Sequence, residues 1–191
     1  MPQTGKQTEK TTAHFTARLH RMKASDNGSS SAFVLLPADA SAILPRRGRT
    51  TVKGTVNGCH FQALLEPDGR KSHWLSLDPA LMEASGVAIG EEISFEIEPV
   101  AEEPEPDVPG DLLEALEESP EAWKTWEETT TLARVDWIHW IDSSRREATR
   151  RSRISDACDM LASGKKRVCC FDPSGYYSKG VCSPEPDEGD A

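Results

Sequence analysis

The chain has 191 residues, of which 37% are hydrophobic and 28% charged, and carries a net charge of -10. That balance suits a soluble globular protein of one ordinary domain or two small ones. On average this charge disfavours a general role on nucleic acid, whose phosphates need a positive surface. No run reaches the roughly 18 apolar residues of a membrane span.

Residues 1–12 are polar and have no apolar core of a secretory signal, so they read as a disordered arm on a cytoplasmic protein. The five cysteines, an odd number in a long chain, argue against a disulfide framework, and reduced thiols are expected. His14-Phe15-Thr16-Ala17-Arg18-Leu19 alternates in its later positions and suits a half-buried strand. Asp26-Asn27-Gly28 and Ser29-Ser30-Ser31 form a flexible connection to a short apolar strand, Ala32-Phe33-Val34-Leu35-Leu36, which ends at Pro37.

Arg46-Arg47-Gly48-Arg49 leads into two strand-like runs around Asn57-Gly58, the strongest short-range hairpin signal. Pro67-Asp68-Gly69 closes a second hairpin and delivers His73-Trp74-Leu75-Ser76-Leu77. Asp78-Pro79 starts a short helix that Gly86 stops. In Glu92-Ile93-Ser94-Phe95-Glu96-Ile97-Glu98 every second residue is apolar. About six short strands over residues 13–99 are the pattern of a small barrel or sandwich.

Residues 100–108 form an acidic, proline-rich linker. Pro104, Pro106 and Pro109 neither donate to a ladder nor sit inside a helix, and the repelling acids stiffen the stretch. Helical signals follow over residues 109–167. Pro109 and Ser119-Pro120 mark two helix starts, Thr130 or Thr131 caps a third carrying Leu132, Val135, Trp137, Ile138 and Ile141, and a fourth runs from about Glu147 to Ala162. Together these predict an α+β chain, a small β-barrel followed by a helical bundle.

Charge is sorted along the helical half. Eleven acids stand against one base from Glu102 to Glu128, whereas eight bases stand against three acids from Arg145 to Arg167. Arg146, Arg150 and Arg153 share one helical face. The final stretch, 168–191, bears Cys169, Cys170 and Cys182 and ends in an acidic run expected to be disordered.

Three stretches carry a family resemblance: Leu44-Pro45-Arg46-Arg47-Gly48-Arg49 running on to Val52-Lys53-Gly54-Thr55-Val56-Asn57-Gly58; Gly86-Val87 with Ile89-Gly90; and Val108-Pro109-Gly110-Asp111-Leu112 through Trp140-Ile141 to Thr149-Arg150-Arg151-Ser152-Arg153-Ile154. Over roughly residues 13–167 the chain resembles bacterial proteins of the YdeI/OmpD-associated, bacteriocin-protection type with an N-terminal domain of unknown function, DUF1905. The resemblance implies a double-split-barrel-like N-terminal domain and a helical domain linked by name to protection against bacteriocins or peptide antibiotics. It brings no enzyme activity. Ser143-Ser144 stands where the family pattern has Ala-Lys, so no role of that lysine carries over.

Two functional classes follow. In the first, a non-enzymatic binding or stress-protection protein contacts an anionic ligand or a protein or peptide partner through Arg146, Arg150, Arg153, Lys165 and Lys166, because guanidinium groups suit planar anions. The competing reading pairs these bases with the acidic helices. In the second, a dimeric barrel grips DNA through Arg46, Arg47, Arg49 and Lys53. Trp123, Trp126, Trp137 and Trp140 read as core unless one faces outward beside the arginines. The cysteines lack C-x-x-C spacing and a neighbouring histidine, so no metal or cofactor is expected. His139 reads as a packing or surface residue, and no nucleophile motif or phosphate loop is present.

Overall fold

The computed structural model describes residues 12–22 and 32–187. The expected connection at 26–31, the N-terminal arm apart from Thr12, and the last four residues lie outside the described residues.

Among the described residues, seven strands make one antiparallel sheet: β1 (Ala13–Arg18), β2 (His20–Arg21), β3 (Ala32–Leu35), β4 (Thr50–Val56), β5 (Cys59–Pro67), β6 (His73–Leu77) and β7 (Glu92–Pro99), in the order β1-β7-β4-β5-β6-β3-β2. It curls into a nearly closed barrel. Alternation decides which face is inside. In β7, Ile93, Phe95 and Ile97 are buried while Glu92, Ser94 and Glu96 between them are exposed, and Phe15 stacks on its cross-strand partner Phe95 at 5.2 Å. Asn57 and Gly58 turn the β4–β5 hairpin with φ of 46° and 81°, as a type I′ turn requires. Gly54 has a different duty: a Cβ there would meet the Glu96 carbonyl oxygen at 1.8 Å, so only glycine lets β4 lie this close to β7.

Two elements went unforeseen. The two residues of β2 and the five of α1 (Ala38–Ala42) are too short to register a period. The short helix after Asp78 appears as α2 (Pro79–Ser85), with the Asp78 carboxylate accepting from the Leu81 N–H at 2.8 Å.

The helical half holds α3 (Gly110–Glu117), α4 (Pro120–Glu127), α5 (Thr131–Asp142) and α6 (Glu147–Ala162); the first three begin where their proline or cap signals fall, and α6 begins after Arg146, which makes no side-chain cap bond. Thr130 is the cap of α5, its hydroxyl accepting from the Ala133 N–H at 3.3 Å. Leu112, Leu116, Trp126, Trp137, Ile138, Ile141, Ile154 and Leu161 form a second core. Leu132 is a correction: expected inside, it is 42% exposed. It stands nine positions before Ile141, which at 3.6 residues per turn puts it on the opposite side of α5.

The chain beyond α6, expected to be disordered towards its end, lies against the barrel as far as Asp187. The Ser183 N–H donates to the Asp68 carbonyl at 3.4 Å, Asp187 N–H to the Arg21 carbonyl at 3.2 Å, and Pro186 bridges to Met22. Among the described residues no helix is long and apolar enough to cross a membrane.

Candidate functional site

The loop between α1 and β4 is fixed from below by His73. This histidine is fully buried; its Nε2 lies 3.1 Å from the Gly48 carbonyl and its Nδ1 2.8 Å from the Ser41 hydroxyl. A carbonyl only accepts, so Nε2 carries the proton and Nδ1 accepts from Ser41. Burial lowers the His73 pKa and keeps the ring neutral. Nothing in the local sequence marks this histidine, because both partners come from distant segments.

The loop so placed aims its arginines at the helical half. Arg46 pairs with Asp136 of α5. Arg49 pairs with Glu66 at 2.9 Å and, across the junction, with Asp142 at 3.2 Å. Asp142 also receives Arg150 of α6 at 2.9 Å, and Arg150 donates through Nε and Nη2 to both oxygens of Asp111 on α3, at 2.6 and 3.0 Å. Glu66, Arg49, Asp142, Arg150 and Asp111 therefore form one alternating chain of charge from barrel to helices. The two carboxylate partners raise the Arg150 pKa, and Arg150 holds the Asp111 carboxyl below its usual range. Of the other bases, Arg47 donates to the Lys71 carbonyl, Lys53 pairs with Glu98 at 3.1 Å and Lys166 with Glu128 at 3.0 Å. Arg146 is the exposed N-cap residue of α6, and Lys165 is exposed just beyond its end.

Arg153 differs from these. Its Nη1 donates to the Trp140 carbonyl and, at 2.8 Å, to the Ser143 hydroxyl, and both acceptors are neutral. Its guanidinium lies over the half-buried Trp140 ring, 5.4 Å from the centroid. This is the arrangement of a tryptophan beside the arginines that separates a binding surface from plain core. Both residues line a cavity of about 300 Å³, which the chain after α6 completes with Cys170, Ser178 and Val181. Asp172 lines it too, but its carboxylate turns into its own loop and accepts from the Ser174, Tyr177 and Ser178 N–H groups.

Beside this cavity lies His139, 2% exposed, with no partner at Nδ1 among the described residues and the Phe171 ring edge-on at 5.2 Å. Burial, then the charges of Arg49 and Arg46, push its pKa down to about 3. It is a packing residue at neutral pH. A second hollow, of about 360 Å³, runs between the barrel and α5 beneath the linker, bounded by Arg49, Leu64, Glu103, Pro106, Val135 and Ile138.

Residues 15–97 match the family model of a domain of unknown function, DUF1905, and residues 105–164 that of the bacteriocin-protection, YdeI or OmpD-associated proteins. The helical half thus carries a YdeI/OmpD-associated domain, and the barrel a DUF1905 domain. No curated protein matches it closely enough to count as a relative. Arg150, Arg153, Trp140 and Ser143 lie inside the YdeI/OmpD-associated part, whereas Cys170 and Ser178 lie beyond it.

Proposed function

We propose that this chain is a non-enzymatic, cytoplasmic binding protein of the stress-protection class, and that it takes an anionic group at Arg153. The observation that carries this reading is the Arg153 guanidinium, held by two neutral oxygens and stacked on Trp140 at the wall of a cavity. A cation fixed by neutral dipoles retains its attraction for a ligand, whereas Arg150 has committed its donors to Asp111 and Asp142. The Ser178 hydroxyl, which accepts from the Gly180 N–H and keeps its own proton, complements a carboxylate or phosphate, and the Trp140 face complements an apolar neighbour of that group. The family's description speaks of bacteriocin protection, which favours a peptide carboxylate as the anion. A nucleic-acid reading draws no support from Arg46, Arg49 and Lys53, because each is already paired with a carboxylate.

The test is a thermal-shift panel of peptide acids, their C-terminal amides, phosphorylated metabolites and short duplex DNA. A ligand at about 100 times its Kd stabilises by roughly 2.7 kcal/mol, which in a chain of this size raises Tm by roughly 5–10 °C. The expected result is a shift with a peptide acid, none with its amide, and loss of the shift in Ser178→Glu, which sets a negative charge at the cavity without touching the bonds of Arg153. Equal shifts with acid and amide, a shift that survives Ser178→Glu, or no shift with any anion would overturn the reading.

A further inference from the structure

Independently of the anion reading, the segment after α6 holds two thiols in contact. Cys169 and Cys170 are both exposed, and their sulfurs lie 3.3 Å apart. Neighbouring side chains ordinarily diverge. Here Cys170 takes a φ of +60°, a conformation that costs a non-glycine residue about 1 kcal/mol or more and folds the two side chains to one side. The Cys170 thiol is held above its usual pKa, first by its hydrogen bond to Cys169, so at neutral pH it is protonated.

The spacing selects a partner. With bonds to sulfur of about 2.3 Å, two sulfurs 3.3 Å apart subtend about 90° at a bridging atom. Tetrahedral zinc needs sulfurs about 3.8 Å apart and a linear two-coordinate ion about 4.6 Å, by the same bond length. Direct oxidation is also disfavoured, since disulfides want Cα atoms about 4.4–6.8 Å apart and adjacent trans residues hold them at about 3.8 Å. Trivalent arsenic bonds through p orbitals at nearly right angles and is strongly thiophilic. We propose that Cys169 and Cys170 form a dithiol site for a trivalent arsenical carrying two exchangeable oxygen ligands. On binding, two S–H and two As–O bonds break, two As–S and two O–H bonds form, and two waters leave. Arsenic stays trivalent and no oxidant is consumed.

The full chain is treated with phenylarsine oxide, which hydrates to such a species, in excess monothiol, and followed by intact-protein mass spectrometry. Wild type is expected to retain one arsenical, less two waters, and to release it to a small dithiol. Cys169→Ser and Cys170→Ser are each expected to bind roughly 100-fold more weakly or worse, because the second bond becomes intermolecular. Cys182→Ser is expected to bind like wild type. Far-UV circular dichroism checks that each variant is folded, as substitution of exposed side chains should leave it. Loss of the adduct from wild type in monothiol, retention by either single variant, or loss in Cys182→Ser overturns the proposal.

Discussion

Replacing Asp142 with asparagine tests the charge chain that joins the two halves. The substitution keeps the shape and removes the charge that Arg49 and Arg150 share, at 3.2 and 2.9 Å. A hydrogen bond between charged groups contributes about 1.5–3 kcal/mol when well shielded. The three side chains here are 13%, 21% and 32% exposed, so solvent screens part of that. The side-chain amide in Asp142→Asn would still offer one acceptor oxygen, Arg49 keeps Glu66, and Arg150 keeps both oxygens of Asp111. The net loss is therefore about 1.5 kcal/mol, a fall in Tm of roughly 3–6 °C. Urea titration followed by tryptophan fluorescence reads it, because Trp137 and Trp140 sit on the same helix. The deficit should shrink in 1 M salt, where the screening length falls to about 3 Å. A change within about 0.5 kcal/mol, the range of ordinary surface substitutions, or a deficit indifferent to salt would refute the argument that Asp142 clamps the junction.

Stability should fall on mild acidification. His139 has a folded pKa of about 3, against about 6.5 unfolded, so the unfolded state takes the proton first; the stability is whole above pH 6.5 and drains away towards pH 3, by about 2 kcal/mol at pH 5. Urea midpoints at pH 7.5 and 5.0 should differ accordingly, and His139→Gln should flatten the dependence; an equal slope in wild type and variant would contradict this. Gly54→Ala must push β4 from β7 and should cost about 3 kcal/mol or leave the protein insoluble; a Tm like that of wild type would show that the strands can part cheaply. Glu103→Gln, which removes the charge from the acceptor of the buried Thr51 N–H and hydroxyl, should cost about 1 kcal/mol and speed hydrogen exchange at Thr51.

The parts of the fold legible in the sequence were those written locally. Asn57-Gly58 turns the hairpin because only certain residues accept positive φ, and Pro120 and Thr130 open α4 and α5 because helix starts need a missing or capped N–H. The candidate site was half legible. Spacing put Arg150 and Arg153 on one helix, but it cannot tell which of them a distant carboxylate neutralises. Asp111 is 39 residues from Arg150, and Asp142 is 93 from Arg49. His73, His139 and the closing of the cavity by Ser178 and Val181 depend on contacts of the same kind. Gly54 did leave a signal, since glycine inside a strand marks close backbone approach.

The linker shows most clearly why local reading stops short. Its acids repel one another as a free chain, which reads as a stiff spacer. Folded, the same acids are fastened at both ends. The Glu103 carboxylate accepts from the N–H and hydroxyl of Thr51 on β4, and Glu105 takes the hydroxyl of Thr131 and, at 2.8 Å, Arg134 on α5. The chain after α6 binds the junction from the other side, with Phe171 against His139, Pro173 at Gly48 and Val181 at Gly69. The cavity of Arg153 is walled by α5, α6 and this returning segment, which itself rests on the barrel. A ligand that fills it therefore touches groups whose positions both halves set, and its binding free energy adds to the stability of the whole chain, not to that of the helices alone.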